Sequence, residues 1–320
     1  MGGTYQDMDV VGCGALNMDY IYQVDRILQD GEGIVQGVKA SPGGSAANTV
    51  YALARLGLRT GFVGAVGDDE EGRAMVQELE SVGIDTTCIK VKPTARSGSV
   101  LSIADRKGNR ALYVSPGAND LLTKKDIESV LAQRAGFLHL SSFVGRKQML
   151  LQVYLVESLG MPTRVSLAPG MLYARRGLDA LAPLLRHTHV LFLNQDEMNT
   201  LTDRETEAGA AVCHRHGAAI VVVTLGKGVR RGDGVAVAYV YDGNIGTYVT
   251  PADTTPVAMA EGTGAGDAFA AGFLFGLAGG RDLRMCGLLG DTVARFSLRG
   301  VGAREGLPSL AQLRQAFHGL

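Results

Sequence analysis

The stretch SPGGSAANTVYALARLGLRTGFVGAVGDDEEGRAMVQELESV, residues 41–82, decides the fold. From Ser45 onward apolar residues recur at helical spacing and stop at Gly57, a natural residue for the left-handed position after a helix. Ser45 stands where a helix wants a capping hydroxyl, so the helix is read as capped by that side chain. Residues 60–66 are apolar with no helical period and read as a strand, and Asp69 opens an acidic-started second helix running to residue 82. Helix, strand and helix in quick succession are the material of an α/β sheet.

Working outward, residues 10–16 form an apolar run that ends in glycines and then Asn17, Met18 and Asp19, as a buried strand feeding a functional loop would. After residue 82 come short extended pieces at 87–91, 98–104 and 110–115, which read as a separate small sheet. The polar turn at 105–109 makes the last two a hairpin. From residue 121 helices alternate with apolar strands at 137–140, 164–167, 190–193 and 219–224, the pattern of βαβ units around a mainly parallel sheet. A hairpin at 235–249 turns at Asp242-Gly243, and two helices starting near Gly264 and Asp282 close the chain. The expectation is one domain over residues 1–320, a three-layer α/β/α doubly wound sheet, with a small β-sheet lid from discontinuous segments at roughly 17–40 and 86–115.

Composition removes whole classes of function. The 320 residues carry 31 basic against 32 acidic side chains, net charge -1, with no basic block, so no nucleic-acid partner is expected. Cys13, Cys88, Cys213 and Cys286 are scattered without C-x-x-C spacing, which suits thiols in a reducing compartment and points to the cytoplasm. The first nine residues lack the basic start and apolar run of a secretory leader, and Gln6 stands where a myristoylation signal needs Ser or Thr. The charge-free stretch at residues 268–280 falls well short of the roughly 20 residues that span a bilayer, so no membrane span is expected.

The strongest chemical signal is Gly262-Thr263-Gly264-Ala265-Gly266-Asp267, followed at once by an apolar helix. Close-approaching backbone and the positive end of a helix form an anion nest, fit for phosphate or a developing oxyanion. Asp267 beside such a nest would repel phosphate, so its use is most simply to accept a proton from an attacking hydroxyl. A helix-dipole acid behind a glycine turn is the plain alternative. In Gly43-Gly44-Ser45-Ala46-Ala47-Asn48 the small residues leave room and Asn48 can donate to and accept from a polyol hydroxyl. Asn17 and Asp19, two apart after the first strand, can hold neighbouring hydroxyls. Asn194 to Glu197, and Thr224-Leu-Gly226-Lys-Gly228, both follow strands at their carboxyl ends, where open α/β sheets bind ligands. A Glu there can organise magnesium, and Thr224 with the glycine amides can hold nucleotide phosphates.

Other chemistries fit less well. Val11-Gly12-Cys13-Gly14-Ala15-Leu16-Asn17 imitates a dinucleotide fingerprint, but Asn17 replaces its third glycine and no helix follows, so a dehydrogenase is not expected. The P-loop pattern is absent. His187, His189, His214 and His216 lie in polar stretches at helix ends and read as solvated side chains rather than metal ligands.

In order and together, these motifs resemble the ribokinase-like (PfkB) family of carbohydrate and nucleoside kinases over nearly the whole chain. The most specific parts are SPGGSAANTVYALARLG with GFVGAVGDDEEG, then N-x-x-E, then EGTGAGDAFAAGFLFGL. The resemblance implies a lid that closes over a small sugar and often mediates homodimers. It implies Asp267 as the base that takes the proton of a substrate hydroxymethyl attacking the γ-phosphorus of ATP, with Gly264, Ala265 and Gly266 as the oxyanion hole. Asn17, Asp19, Gly43, Gly44 and Asn48 then match positions that hold substrate hydroxyls. Asn194 and Glu197 match the Mg2+ and phosphate motif, the metal being held through water, and Thr224, Gly226 and Gly228 would contact ATP. Glu261 stands where potassium-activated members place an Asp, and is the candidate for K+. Ser45 replaces a lysine found in some ribokinases, and Asp291 an Asn near the adenine. A sugar kinase is the leading expectation. A nucleoside kinase, with Tyr20, Tyr22, Tyr113 or Phe143 under the base, and a non-catalytic sensor on the same scaffold are the alternatives.

Overall fold

The computed structural model describes residues 8–106, 110–131, 135–160, 162–232, 234–251 and 262–317. Thirteen strands are described: β1 (Met8–Cys13), β2 (Asn17–Val24), β3 (Val35–Gly43), β4 (Thr60–Gly67), β5 (Ile89–Lys92), β6 (Gly98–Asp105), β7 (Arg110–Ser115), β8 (Ala135–Ser141), β9 (Arg164–Ala168), β10 (Thr188–Asn194), β11 (Ile220–Arg231), β12 (Gly234–Tyr241) and β13 (Gly246–Val249). The helices are α1 (Ser45–Arg55), α2 (Glu70–Ser81), α3 (Lys124–Leu131), α4 (Arg146–Ser158), α5 (Gly170–Ala174), α6 (Leu178–Leu185), α7 (Gln195–Thr202), α8 (Thr206–Arg215), α9 (Ala265–Ala278), α10 (Leu283–Ser297) and α11 (Leu310–Ala316).

Nine strands make the large sheet in the order β13-β12-β11-β10-β9-β8-β1-β4-β5. It is parallel from β5 to β11, and β12 and β13 add an antiparallel edge. Its strands are apolar on both faces because helices cover both. Along β10, Leu191 and Leu193 face one core with Val11, Leu138 and Val221, while Val190 and Phe192 face the other with Val50, Phe273 and Leu289. No helix among the described residues is long and apolar enough to cross a membrane.

The second sheet has the order β3-β2-β6-β7. Here the structure corrects the sequence reading: the extended piece expected at 87–91 is β5, which pairs with β4 at the edge of the large sheet and takes no part in the small one. Its apolar positions are few, yet β4 is buried throughout and pairs with it along its free edge. Residues 107–109 of the expected hairpin turn lie outside the described residues, but β6 and β7 pair antiparallel as the hairpin requires. A third C-terminal helix, α11, adds to the two expected; Ser309 and Gln312 cap it reciprocally.

Ser45 does not cap α1. Gly44 holds the cap position at φ 109°, where a side chain would strike the carbonyl oxygen of Ala15, and Ser45 begins the helix proper with its hydroxyl turned elsewhere. His214 and His216 sit at the C-terminal end of α8 with their Nδ1 atoms 2.9 Å from the carbonyls of Ala218 and Val212.

Candidate active site

The large sheet brings the site together at the carboxyl ends of its strands. Register sets Ser141 beside Ala168 and Asn194 beside Thr224, so β8 to β11 end in a row. Across that row lie the starts of α1 and α9, which pack together through Ala46, Ala47, Phe269 and Ala271. The cleft between has about 450 Å³ of open space and is lined by Ser45, Ala168, Asn194, Glu197, Thr224, Gly266 and Asp267, among others.

Asp267 is held from α1. Ser45 Oγ donates to its Oδ1 at 2.7 Å, Asn48 Nδ2 donates to its Oδ2 at 2.9 Å, and Thr49 Oγ1 donates to its main-chain oxygen at 3.3 Å. Burial raises the Asp267 carboxyl above the ordinary range, and the bonds from Ser45 and Asn48 with the charge of Arg304 pull it back in part. The carboxylate lines the cleft, where a group bound there can reach it. Ser45, expected as a cap, is thus a hydrogen-bond partner of Asp267.

Gly264 caps α9 in the left-handed conformation, φ 80°, and a side chain there would meet Ala303 at 2.5 Å. Gly266 differs: the direction a Cβ would take is open space. Gly266 lines the cleft beside Asp267, so the N-terminal end of the fourteen-residue α9 meets the cleft with no side chain at that position.

The N-x-x-E motif is a capping box. Asn194 Oδ1 accepts from the Glu197 amide at 2.8 Å and Glu197 Oε2 accepts from the Asn194 amide at 3.0 Å, fixing the entry of α7. Burial, then repulsion from Asp267 and Asp196, raises the Glu197 carboxyl. Among the described residues no three His, Cys, Asp or Glu converge on one point. Glu197 offers one hard carboxylate at the cleft, which fits magnesium held through water, an ion that keeps several waters and takes further oxygens from phosphate. Thr224 ends the regular part of β11. Gly226 and Gly228, at φ 56° and 87°, form an irregularity before pairing with β12 resumes at Val229. Gly226 faces open space, whereas a side chain at Gly228 would strike Val235, so only the first offers a ligand unobstructed approach. Glu261 lies outside the described residues.

On the lid side, Asp19 overlies Gly43, where a Cβ would come within 2.3 Å of its carboxylate. Asn17 is committed to structure: Asn119 Nδ2 donates to its Oδ1 at 3.0 Å while also bracketing the Leu16 main chain, tying the small sheet to the body. The proposed aromatic platforms are elsewhere. Phe143 is buried in the body core, and Tyr20 and Tyr22 alternate with Asp19 along β2 and so lie on its opposite face, with Tyr113 paired beside them through Leu101. Tyr20 instead donates to Glu71 of α2. The face shared with Asp19 carries Ile21, Val100 and Val114. Asp291 is 9% exposed within α10. Arg304, which no local motif announced, reaches Asn48 from 256 residues away.

The pfkB family carbohydrate kinase profile matches residues 7–310. The chain belongs to this family. It is a phosphotransferase of the carbohydrate-kinase class. It is 37% identical over 259 residues to an uncharacterized sugar kinase of Archaeoglobus fulgidus, covering 80% of this chain and 98% of that one. An ATP-dependent ribose-1-phosphate kinase of Halopiger xanaduensis is 32% identical over 267 residues, 83% of each chain. Among solved structures, Arabidopsis thaliana ribokinase complexed with ribose and ATP superposes with TM-score 0.81 at 22% identity, covering 97% of this chain and 98% of the other, a likeness of fold.

Proposed function

We propose that this kinase moves the γ-phosphoryl group of ATP to a hydroxymethyl group of a small sugar. The observation that carries this reading is the Asp267 carboxylate, clamped by Ser45 and Asn48 at the start of α9 and opening on the same cleft as Asn194, Glu197 and Thr224. Asp267 takes the hydroxyl proton as the sugar oxygen bonds to phosphorus. The bond from phosphorus to the bridging oxygen breaks, and ADP leaves. Amides of Gly264, Ala265 and Gly266 stabilise the charge that develops on the transferring group. Asp19 and Asn48 orient the sugar, with Asn17, Gly43 and Gly44 shaping the floor, while Thr224, Gly226 and Gly228 hold the nucleotide. Glu197, with Asn194, would hold magnesium through water, and the ion when bound neutralises phosphate charge.

The lid face around Asp19 sets the polar Ser41, Lys39 and Ser102 beside Ile21 and Val100 and carries no aromatic ring in these registers, and this favours a sugar over a nucleoside, whose base wants an aromatic platform or apolar slot. The reading also takes the active form as a homodimer joined through the lid, where Val38, Leu101, Leu112 and Tyr113 are exposed. All four cysteines are buried thiols, which agrees with the cytoplasm. The test is ADP release with ATP and magnesium across ribose, ribose phosphates, fructose, ketodeoxygluconate, adenosine, cytidine and inosine, with and without potassium. Turnover on one sugar, abolished in Asp267→Asn, is expected. Turnover confined to a nucleoside overturns the sugar assignment. Silence across the panel with measurable sugar binding favours the sensor, and potassium activation assigns the cation role of Glu261.

A further inference from the structure

Arg304 lies in the loop between α10 and α11, 6% exposed, and its guanidinium is fully engaged. Nε donates to Asn48 Oδ1 at 2.9 Å, one terminal nitrogen donates to Glu78 of α2, and the other donates to the Gly43 carbonyl at 3.4 Å. Its carbon stands 5.2 Å from the Tyr51 ring centre. A guanidinium can only donate and a carboxylate can only accept, so the two ends of the Asn48 amide are dictated: oxygen to Arg304, nitrogen to Asp267. A flipped amide would set donor against donor and acceptor against acceptor.

We propose that Arg304 is a positioning residue for the reaction at Asp267: it fixes the Asn48 amide toward the base, sets a buried positive charge behind that pair, and ties both to the Gly43 end of the lid. This rests on the reading of Asp267 as the general base. The charged groups facing Asp267 are Arg304 from the C-terminal loop and Glu197 from α7. Helix α1 presents the neutral Ser45, Asn48 and Thr49, and α10 carries Asp291 next to Gly290, which packs on Phe269. Glu78 and Asp19 act on Arg304 itself. A residue that merely tied the loop to α1 and α2 would alter stability and leave the ionisation of Asp267 where it was.

The experiment titrates the Asp267 side-chain carboxyl carbon by NMR in the full chain labelled with [13C]aspartate, its signal assigned by loss in Asp267→Asn. Arg304→Gln keeps a donor for Asn48 and removes the charge. Glu78→Gln keeps an acceptor for Arg304 and removes its counter-charge. The midpoint is expected to rise by about half a pH unit or more in the first and to fall in the second, since an opposite charge nearby favours the ionised carboxylate. A midpoint unmoved in folded Arg304→Gln, or moved the same way by both, overturns the proposal. If Arg304→Gln does not fold, the direction in Glu78→Gln decides alone. Turnover is read beside it: kcat of Arg304→Gln is expected to fall about tenfold with the KM for ATP unchanged, the mark of an effect on the chemical step. Absence of turnover in the parent protein would refute the kinase reading and leave the titration to judge Arg304.

Discussion

At the junction of α1 with α9, Ala46, Ala47, Val50, Ala270 and Ala271 are buried, and the polar groups above them are paired: Ser45 and Asn48 with Asp267, Asn48 again with Arg304, Ser141 Oγ with the Ala46 amide. The small sheet is built the other way. Val38, Leu112 and Tyr113 are 59%, 63% and 63% exposed, and the sheet meets the body at one end, through buried Met18 and ties such as Asn119 to Asn17, Tyr20 to Glu71 and Lys39 to the Val301 carbonyl. Asp267 is thus fixed by its own neighbours, while the lid carries exposed apolar area.

The sharpest way to break the junction is Asp267→Asn. Turnover should drop about a hundredfold or more, the scale of a positioned general base, while a thermal melt shows the fold intact. Activity within a factor of three would place the proton acceptor elsewhere. The wild-type acid limb of kcat should lie above the ordinary carboxylate range, because burial raises Asp267 and activity is lost as pH falls through that raised value.

Asp19→Ala tests where the two regions meet. The KM for the sugar should rise about thirtyfold with the KM for ATP unchanged, as loss of a carboxylate holding two hydroxyls would give. An effect confined to ATP would remove Asp19 from the acceptor site.

The large sheet was legible because its strands are continuous apolar runs between helices with clear stops, as at Gly57. The G-x-G-A-G-D and N-x-x-E motifs were legible because each is a local device, a helix start and a capping box. What stayed hidden is non-local. Ser45 looked like a cap because its place in sequence is a cap's, yet Gly44 fills that role and frees the hydroxyl for Asp267, 222 residues on. Arg304 stands among Gly302, Ala303 and Gly306 with nothing nearby to betray Asn48 as its partner. In the same way β5 was given to the wrong sheet, since a four-residue strand carries no mark of which edge it joins.

One feature of the body should be visible in stability alone. His139 is buried with Nδ1 2.9 Å from Ser166 Oγ, and burial pushes its pKa down to about 3 from 6.5. The folded state keeps it neutral while the unfolded chain protonates it, so its contribution is whole above pH 6.5 and is lost progressively as pH falls toward 3. Denaturant melts should lose about 2 kcal/mol from this group between pH 7 and pH 5, at roughly 1.36 kcal/mol per unit below 6.5. Replacing both partners, His139→Leu with Ser166→Ala, should flatten that slope without leaving an orphan hydroxyl. An unchanged slope would put the acid sensitivity in other groups, first among them His189 of β10, whose pKa burial also lowers.

The smallest effect on the chemistry is expected from the lid surface, and it is there that the comparison is most open to correction. Leu112 lies on β7 at the outer part of the face that Asp19 shares, 63% exposed and away from the base. If that surface joins two chains, a lysine there leaves a charge to be desolvated in the interface, and Leu112→Lys should shift the sedimentation profile from dimer to monomer. Turnover should fall only a few-fold, through a weaker hold on the sugar, because the Asp267 junction owes nothing to the partner. Should the parent chain sediment as a monomer at all concentrations, the homodimer reading falls, and Leu112→Lys should then raise the sugar KM with no change in mass.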